Sequence, residues 1–174
     1  MIYLVTGMMR SGTSAMMQAL EAGGLPVVKS DERRRLNERS GQPGRLANPV
    51  DLYEPAEGET QQVGWPRQYD GHALKIVAPL MPRIAVHEYR AVLLTRAAHE
   101  IQASYLRAFG RHLAVDWIDS LVNELRRTLA NRRDIVWVEH AYTQLREDPL
   151  KVFRGLEEQG WPIDPCAAAA VIHA

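Results

Sequence analysis

Apolar residues along the chain fall into short runs that alternate between two periods. Residues 2–5 (Ile-Tyr-Leu-Val) are apolar throughout and rich in β-forming side chains, and Gly7 and Gly12 follow closely. This predicts a buried strand that ends in a glycine-bearing loop. Over residues 13–22, Met16, Met17 and Leu20 recur at helical spacing, and Gly23-Gly24 ends the helix. Residues 25–28 predict a second strand. The opening is therefore strand, loop, helix, strand, the βαβ unit of a parallel sheet. A first strand apolar on both faces, feeding a loop, belongs at the centre of such a sheet, next to a switch point.

Residues 29–71 show no clean period and contain Pro43, Pro49, Pro55 and Pro66. They predict an irregular lid or binding excursion within one domain spanning 1–174. Beyond it, residues 73–78 and 91–95 predict two further buried strands. A helix over 97–109 carries Ile101, Tyr105 and Phe109 at intervals of four. The clearest helix covers 115–131, where Ile118, Leu121, Val122, Leu125 and Leu129 form one stripe. Arg126, Arg127, Arg132 and Arg133 crowd its C-terminal end, where the helix dipole favours cations. Residues 135–138 predict another strand. Asp148-Pro149 and Asp164-Pro165 each open a helix, with Asp as cap and Pro at the first position. Strands alternate with helices, so the predicted class is α/β: a three-layer parallel sheet with helices on both faces.

Charge narrows the function. The 174 residues carry 21 Lys+Arg and 21 Asp+Glu, which excludes the basic footprint of a general nucleic-acid binder. All the basic residues except Lys29, Lys75 and Lys151 are Arg, the side chain suited to planar, bidentate oxyanion binding. Cys166 is the only cysteine, which excludes an internal disulfide and a Cys-based zinc site. The N-terminal run lacks a basic n-region, and no stretch approaches the length of a membrane span. The expected setting is cytoplasmic, with no membrane and no nucleic acid as partner.

The loop Gly7-Met8-Met9-Arg10-Ser11-Gly12-Thr13-Ser14 has its two glycines at the spacing of a phosphate-binding P-loop. The glycines let the chain fold around an anion, and the amides of the following helix point into it. Ser14 occupies the place of the usual magnesium-binding hydroxyl. Thr13 stands where the usual Lys would be, and the loop's cation is Arg10. Without that Lys, ordinary nucleoside triphosphate hydrolysis is disfavoured. A second set of polar residues follows the strand at 91–95. If a helix starts directly after that strand, Arg96, Glu100 and Ser104 lie close to one face. Arg96 either supplies a charged fork with Ser104 as a neutral donor, or pairs with Glu100.

Together these runs resemble the sulfotransferases, in particular short bacterial and phage sulfotransferase-like proteins. Arg10-Ser11-Gly12-Thr13-Ser14 and the following Leu20-Glu21-Ala22-Gly23-Gly24-Leu25-Pro26-Val27 look like that family's loop for the 5′-phosphosulfate end of 3′-phosphoadenosine 5′-phosphosulfate. The resemblance puts Arg10 at the sulfonate-bearing phosphate and Arg96 with Ser104 at the 3′-phosphate. Asn48-Pro49-Val50-Asp51-Leu52-Tyr53-Glu54 and Val138-Glu139-His140-Ala141-Tyr142-Thr143-Gln144-Leu145 are similar to two further family segments.

The implied ligand contacts are Gly7, Arg10, Ser11, Gly12, Thr13, Ser14, Arg96 and Ser104, with Arg10, Lys75 and Glu54 as catalytic candidates and no metal required. The implied reaction is sulfuryl transfer to a hydroxyl or amine on a small-molecule or carbohydrate acceptor, with Arg10 more critical for turnover than any His. The sequence departs from the family at Val77, where better-known members carry the histidine that serves as base, and it has no Arg-Lys-Gly run to close over a nucleotide. Glu54 is the first substitute for the base, with His72, His87 and His99 as alternatives. A small-molecule kinase and a non-catalytic nucleotide-binding protein are the other classes open to this sequence.

Overall fold

Four parallel strands form one sheet in the order β2-β1-β3-β4. They are β1 (Ile2–Gly7), β2 (Ala73–Val77), β3 (Tyr89–Thr95) and β4 (Ile135–Ala141). The helices are α1 (Thr13–Ala22), α2 (Ala98–Phe109), α3 (Val115–Asn131), α4 (Tyr142–Glu147), α5 (Pro149–Glu158) and α6 (Pro165–Ala170). This computed structural model describes residues 1–30, 52, 53, 55 and 58–172.

β1 lies inside the sheet because both its faces are apolar. Ile2 and Leu4 join Leu74, Ile76, Ala91 and Leu93 in a core roofed by α2, α3 and the 3₁₀ turn Ala78–Arg83. Tyr3 and Val5 join Val92 and Leu94 in a second core under α1, α4, α5 and α6. Each large side chain so buried contributes about 1.5–3 kcal/mol. The predicted stripe of α3 faces inward: Ile118, Val122, Leu125 and Leu129 are buried. The result is the three-layer α/β arrangement expected from the alternation of runs. The chain runs from β1 out to β2 and then back past β1 to β3. The switch point therefore falls between β1 and β3, at their C-terminal ends.

Three local expectations change. Residues 25–28 do not form a strand: only Val27 bridges to Ala73, on the outer edge of β2. Pro26 has no N–H to continue a ladder, and Lys29 instead pairs antiparallel with Leu52. The described end of the 29–71 excursion is structured. It forms 3₁₀ turns at Glu59–Gln61 and Pro66–Tyr69 and buries Trp65 in the first core. Two of the arginines near the end of α3, Arg126 and Arg132, serve as ion-pair partners. Arg126 grips both oxygens of Glu139 on β4 at 2.9 and 2.6 Å. Arg132 grips Asp134 at 2.7 and 2.5 Å and also donates to the carbonyls of Ile84 and Ala85. These guanidinium contacts hold the carboxyls of Glu139 and Asp134 below the usual carboxylate range. Among the described residues, no helix is long and apolar enough to cross a membrane.

Candidate functional site

A cleft of about 340 Å³ opens at the C-terminal ends of β1, β2 and β3. Its floor is the loop between β1 and α1, and its lining includes Arg10, Gly12, Thr13, Ser14, Lys75, Val77, Arg96, Ser104 and Tyr142. Residues 94 positions apart in sequence meet here because the switch point brings the ends of β1 and β3 together.

Three backbone features shape the loop. Gly7 lies where an added Cβ would sit 2.5 Å from the carbonyl oxygen of Leu94 on β3 and 2.6 Å from Ser11 Oγ. Gly12 caps α1 in the left-handed conformation (φ 99°) and lies directly beneath the Tyr142 ring. Arg10 has φ 72°, the one non-glycine residue with positive φ among the described residues. Loops with positive-φ residues can turn N–H groups toward a concavity, as anion nests do; here the Ser11 amide is bonded to the Met8 carbonyl oxygen at 3.1 Å, and the amides beyond it begin α1. No side chain caps the first turn of α1 and no acidic residue occupies it, so its amides and the positive end of the dipole face the cleft. Ser11 is fully buried beneath the loop, and its Oγ has no hydrogen-bond partner.

The cations approach from different elements. Lys75 lies on the side of β2 that faces α1; it is buried, and its Nζ is 3.5 Å from Ser14 Oγ. Arg96 follows the last residue of β3. Its Nη1 donates to the Arg10 carbonyl oxygen at 3.3 Å, its Nε reaches Glu100 Oε2 at 3.3 Å, and its guanidinium lies 4.7 Å from the centroid of the Tyr142 ring. The pairing of Arg96 with Glu100, one of the two expectations, is therefore present, and Nη1 is spent on the loop's main chain. Arg10 Nε donates to Ser104 Oγ at 3.1 Å. The guanidinium of the loop is thus directed onto the Arg96–Ser104 motif.

Among the sequence candidates, Arg10, Gly12, Thr13, Ser14, Lys75, Arg96 and Ser104 line the cleft, while Gly7 and Ser11 form its underside. Glu54 and residues 48–51 of its segment lie outside the described residues. His72 and His87 are at the opposite, N-terminal end of the sheet, where both contact Asp70. At about 3.3 Å per strand residue, His72 lies about 16 Å from the cleft-lining Val77 and His87 about 30 Å from Arg96, too far to take a proton at the mouth of the cleft. His99 is exposed on the first turn of α2 and is not part of the lining.

Tyr142 is the site residue that the sequence reading passed over as one letter in a supportive run. Its position was nonetheless a signal: it directly follows β4, and side chains just past parallel strand ends fall on the ligand side. The neighbouring His140 is held below the ordinary histidine range by burial. It lies away from this cleft, on a separate surface depression beside α5. Among the described residues, no group of three or more His, Cys, Asp or Glu side chains is arranged to hold a metal ion.

The left-handed Arg10 has a measurable cost. Arg10→Ala and Arg10→Gly both lose the bond to Ser104, but only Ala keeps the strained φ. Arg10→Gly is therefore expected to be the more stable by about 1 kcal/mol, or about 2–4 °C in thermal midpoint. This reverses the usual penalty for glycine. Thermal denaturation of the two variants side by side checks it, and an Ala variant as stable as the Gly variant counts against strain at this position.

No family model matches the chain, and no curated protein matches it. Among solved structures, the sulfotransferase domain of the Synechococcus PCC 7002 olefin synthase matches with a TM-score of 0.50 at 14% sequence identity. The match covers 94% of this chain and 73% of that one. At that identity the likeness is one of architecture: the chain has the α/β fold of a sulfotransferase domain.

Proposed function

We propose that the protein binds 3′-phosphoadenosine 5′-phosphosulfate across this cleft and transfers its sulfuryl group to a hydroxyl or amine. The observation that carries the reading is the convergence of two oxyanion-binding elements at one switch point. One is the uncapped loop after β1, with Lys75 beside it; the other is Arg96 with Ser104 after β3. A nucleotide with an anionic group at each end matches both. The loop amides and Lys75 hold the transferring end, and Arg96 and Ser104 hold the 3′-phosphate. In the reaction, the bond from sulfur to the bridging phosphate oxygen breaks and a bond from sulfur to the acceptor forms. The acceptor's proton leaves to a base, for which Glu54 is the candidate. Catalysis of this kind is positioning plus electrostatics.

The Lys75–Ser14 contact disfavours a magnesium-dependent kinase, because an ammonium faces the hydroxyl that such an enzyme gives to its metal. A non-catalytic nucleotide-binding protein is the second reading, favoured by Val77, which lines the cleft at the end of β2 and cannot accept a proton.

Thermal shift tests the proposal. 3′-Phosphoadenosine 5′-phosphate is expected to stabilise the protein more than AMP or ATP does, with or without magnesium. Arg96→Ala should remove most of that preference, since a charge-assisted hydrogen bond contributes about 1.5–3 kcal/mol. Equal shifts from AMP and the 3′-phosphorylated nucleotide overturn the reading. Preferential binding with no turnover over a broad acceptor panel selects the non-catalytic alternative.

A further inference from the structure

Arg10 sits at the sequence position that the family resemblance gives to the sulfonate end, but its side chain is elsewhere. Nε donates to Ser104 Oγ, a group on the helix after β3 that is only 7% exposed. The Arg10 carbonyl in turn accepts from Arg96 Nη1. Both contacts of Arg10 therefore go to the second anion motif, one through its side chain and one through its main chain. Arg96 has Glu100 as its ion-pair partner at 3.3 Å, and an anion lying between the Arg10 and Arg96 side chains would be attracted by both guanidinium groups. Ser104 Oγ accepts from Arg10 and still has its own O–H to donate. Among the described residues, Arg10 uses only Nε, on Ser104, which leaves its two terminal nitrogens to meet an oxyanion.

We propose that Arg10 is a specificity residue for the 3′-phosphate, forming with Arg96 and Ser104 a three-sided cradle, and that Lys75 and the loop amides serve the transferring end without it. This rests on the nucleotide reading above and changes what Arg10 does within it. The left-handed backbone of Arg10 fits the assignment: strain persists where the surroundings hold it, and here the Arg96 bond to the Arg10 carbonyl supplies the hold.

The readout is the ratio of affinities for 3′-phosphoadenosine 5′-phosphate and AMP, measured by calorimetric titration of wild type, Arg10→Ala, Arg10→Gly, Ser104→Ala and Arg10→Ala/Ser104→Ala. Arg10→Gly relieves the backbone and so guards against a variant that loses binding by failing to fold. Both Arg10 variants are expected to lower the ratio by about 10-fold or more, while AMP affinity stays within about threefold of wild type. The double variant should lose less than the product of the single losses, because the two groups act on one phosphate. An equal drop for both nucleotides returns Arg10 to the 5′ end and overturns the assignment. An unchanged ratio overturns it as well. A wild type without any preference for the 3′-phosphorylated nucleotide overturns the nucleotide reading itself, a result distinct from either of the others.

Discussion

Gly7→Ala is expected to destabilise the protein by about 3–5 kcal/mol, combining overpacking against fixed atoms with an unfavourable backbone conformation. The new Cβ would lie 2.5 Å from the Leu94 carbonyl oxygen. Leu94 is fully buried on β3, an inner strand paired on both sides. Nothing there can rotate away, so β1 and β3 must part at the mouth of the cleft. For a chain of this size the thermal midpoint should fall by roughly 10 °C. Gly12→Ala meets a different obstacle, the Tyr142 ring, with Cε2 at 2.7 Å. A partly exposed side chain can swing aside, so that variant should lose less stability. Displacing the ring also removes the face on which Arg96 rests, so Gly12→Ala should weaken anion binding more than it weakens the fold. In a Gly12→Ala/Tyr142→Ala protein the steric part of the loss should disappear, leaving the cost of the left-handed backbone and of the packing that Tyr142 gives up on the second core and under Arg96. Denaturant unfolding of the four proteins measures this, and a Gly7→Ala midpoint equal to wild type would show that β1 and β3 are not in contact as described.

The same contacts explain why some of the fold was legible in the sequence and some was not. β1 and β3 are sandwiched between two helical layers, so their residues are apolar without alternation, and a continuous short run is what such a strand must look like. Residues 25–28 carry the same signature for another reason. Leu25 is buried in the second core, but Pro26 removes a donor and the segment touches β2 at a single bridge. Apolar content reports burial, not pairing, and could not separate the two cases. The helix α4 went unseen because it has six residues and buries Leu145 alone, too little for a period to show.

For the site, glycine spacing and the order of polar residues were enough to name the loop and the Arg96–Ser104 pair. They could not say which way Arg10 turns. That depends on a left-handed φ and on a hydroxyl 94 residues away, neither of which leaves a local trace. The histidines illustrate the converse. His72 and His87 are open in the sequence as substitute bases, yet each stands at the start of a parallel strand, the end of the sheet away from the ligand.

If the protein transfers a sulfuryl group as proposed, the largest catalytic effect is expected at Lys75 rather than at Arg10. Lys75 Nζ is buried beside the uncapped first turn of α1, 3.5 Å from Ser14 Oγ. In that proposed reaction, negative charge would grow on the bridging oxygen of a phosphate held by the loop, next to that ammonium. Lys75→Met keeps most of the length and apolar volume and deletes the charge. We expect donor desulfation to slow by about 10²–10³, the usual effect of removing one donor aimed at developing charge. Arg10→Gly should slow desulfation less than Lys75→Met does, with its main effect on nucleotide discrimination. Glu54→Gln should lower transfer to an acceptor by about 10²–10⁴ if Glu54 takes the acceptor's proton, while leaving nucleotide affinity near wild type. Single-turnover desulfation of the donor, followed for the three variants beside wild type, separates these roles. Wild-type rates in Lys75→Met would exclude the ammonium from the reacting end of the cleft and leave the loop amides alone to carry the charge.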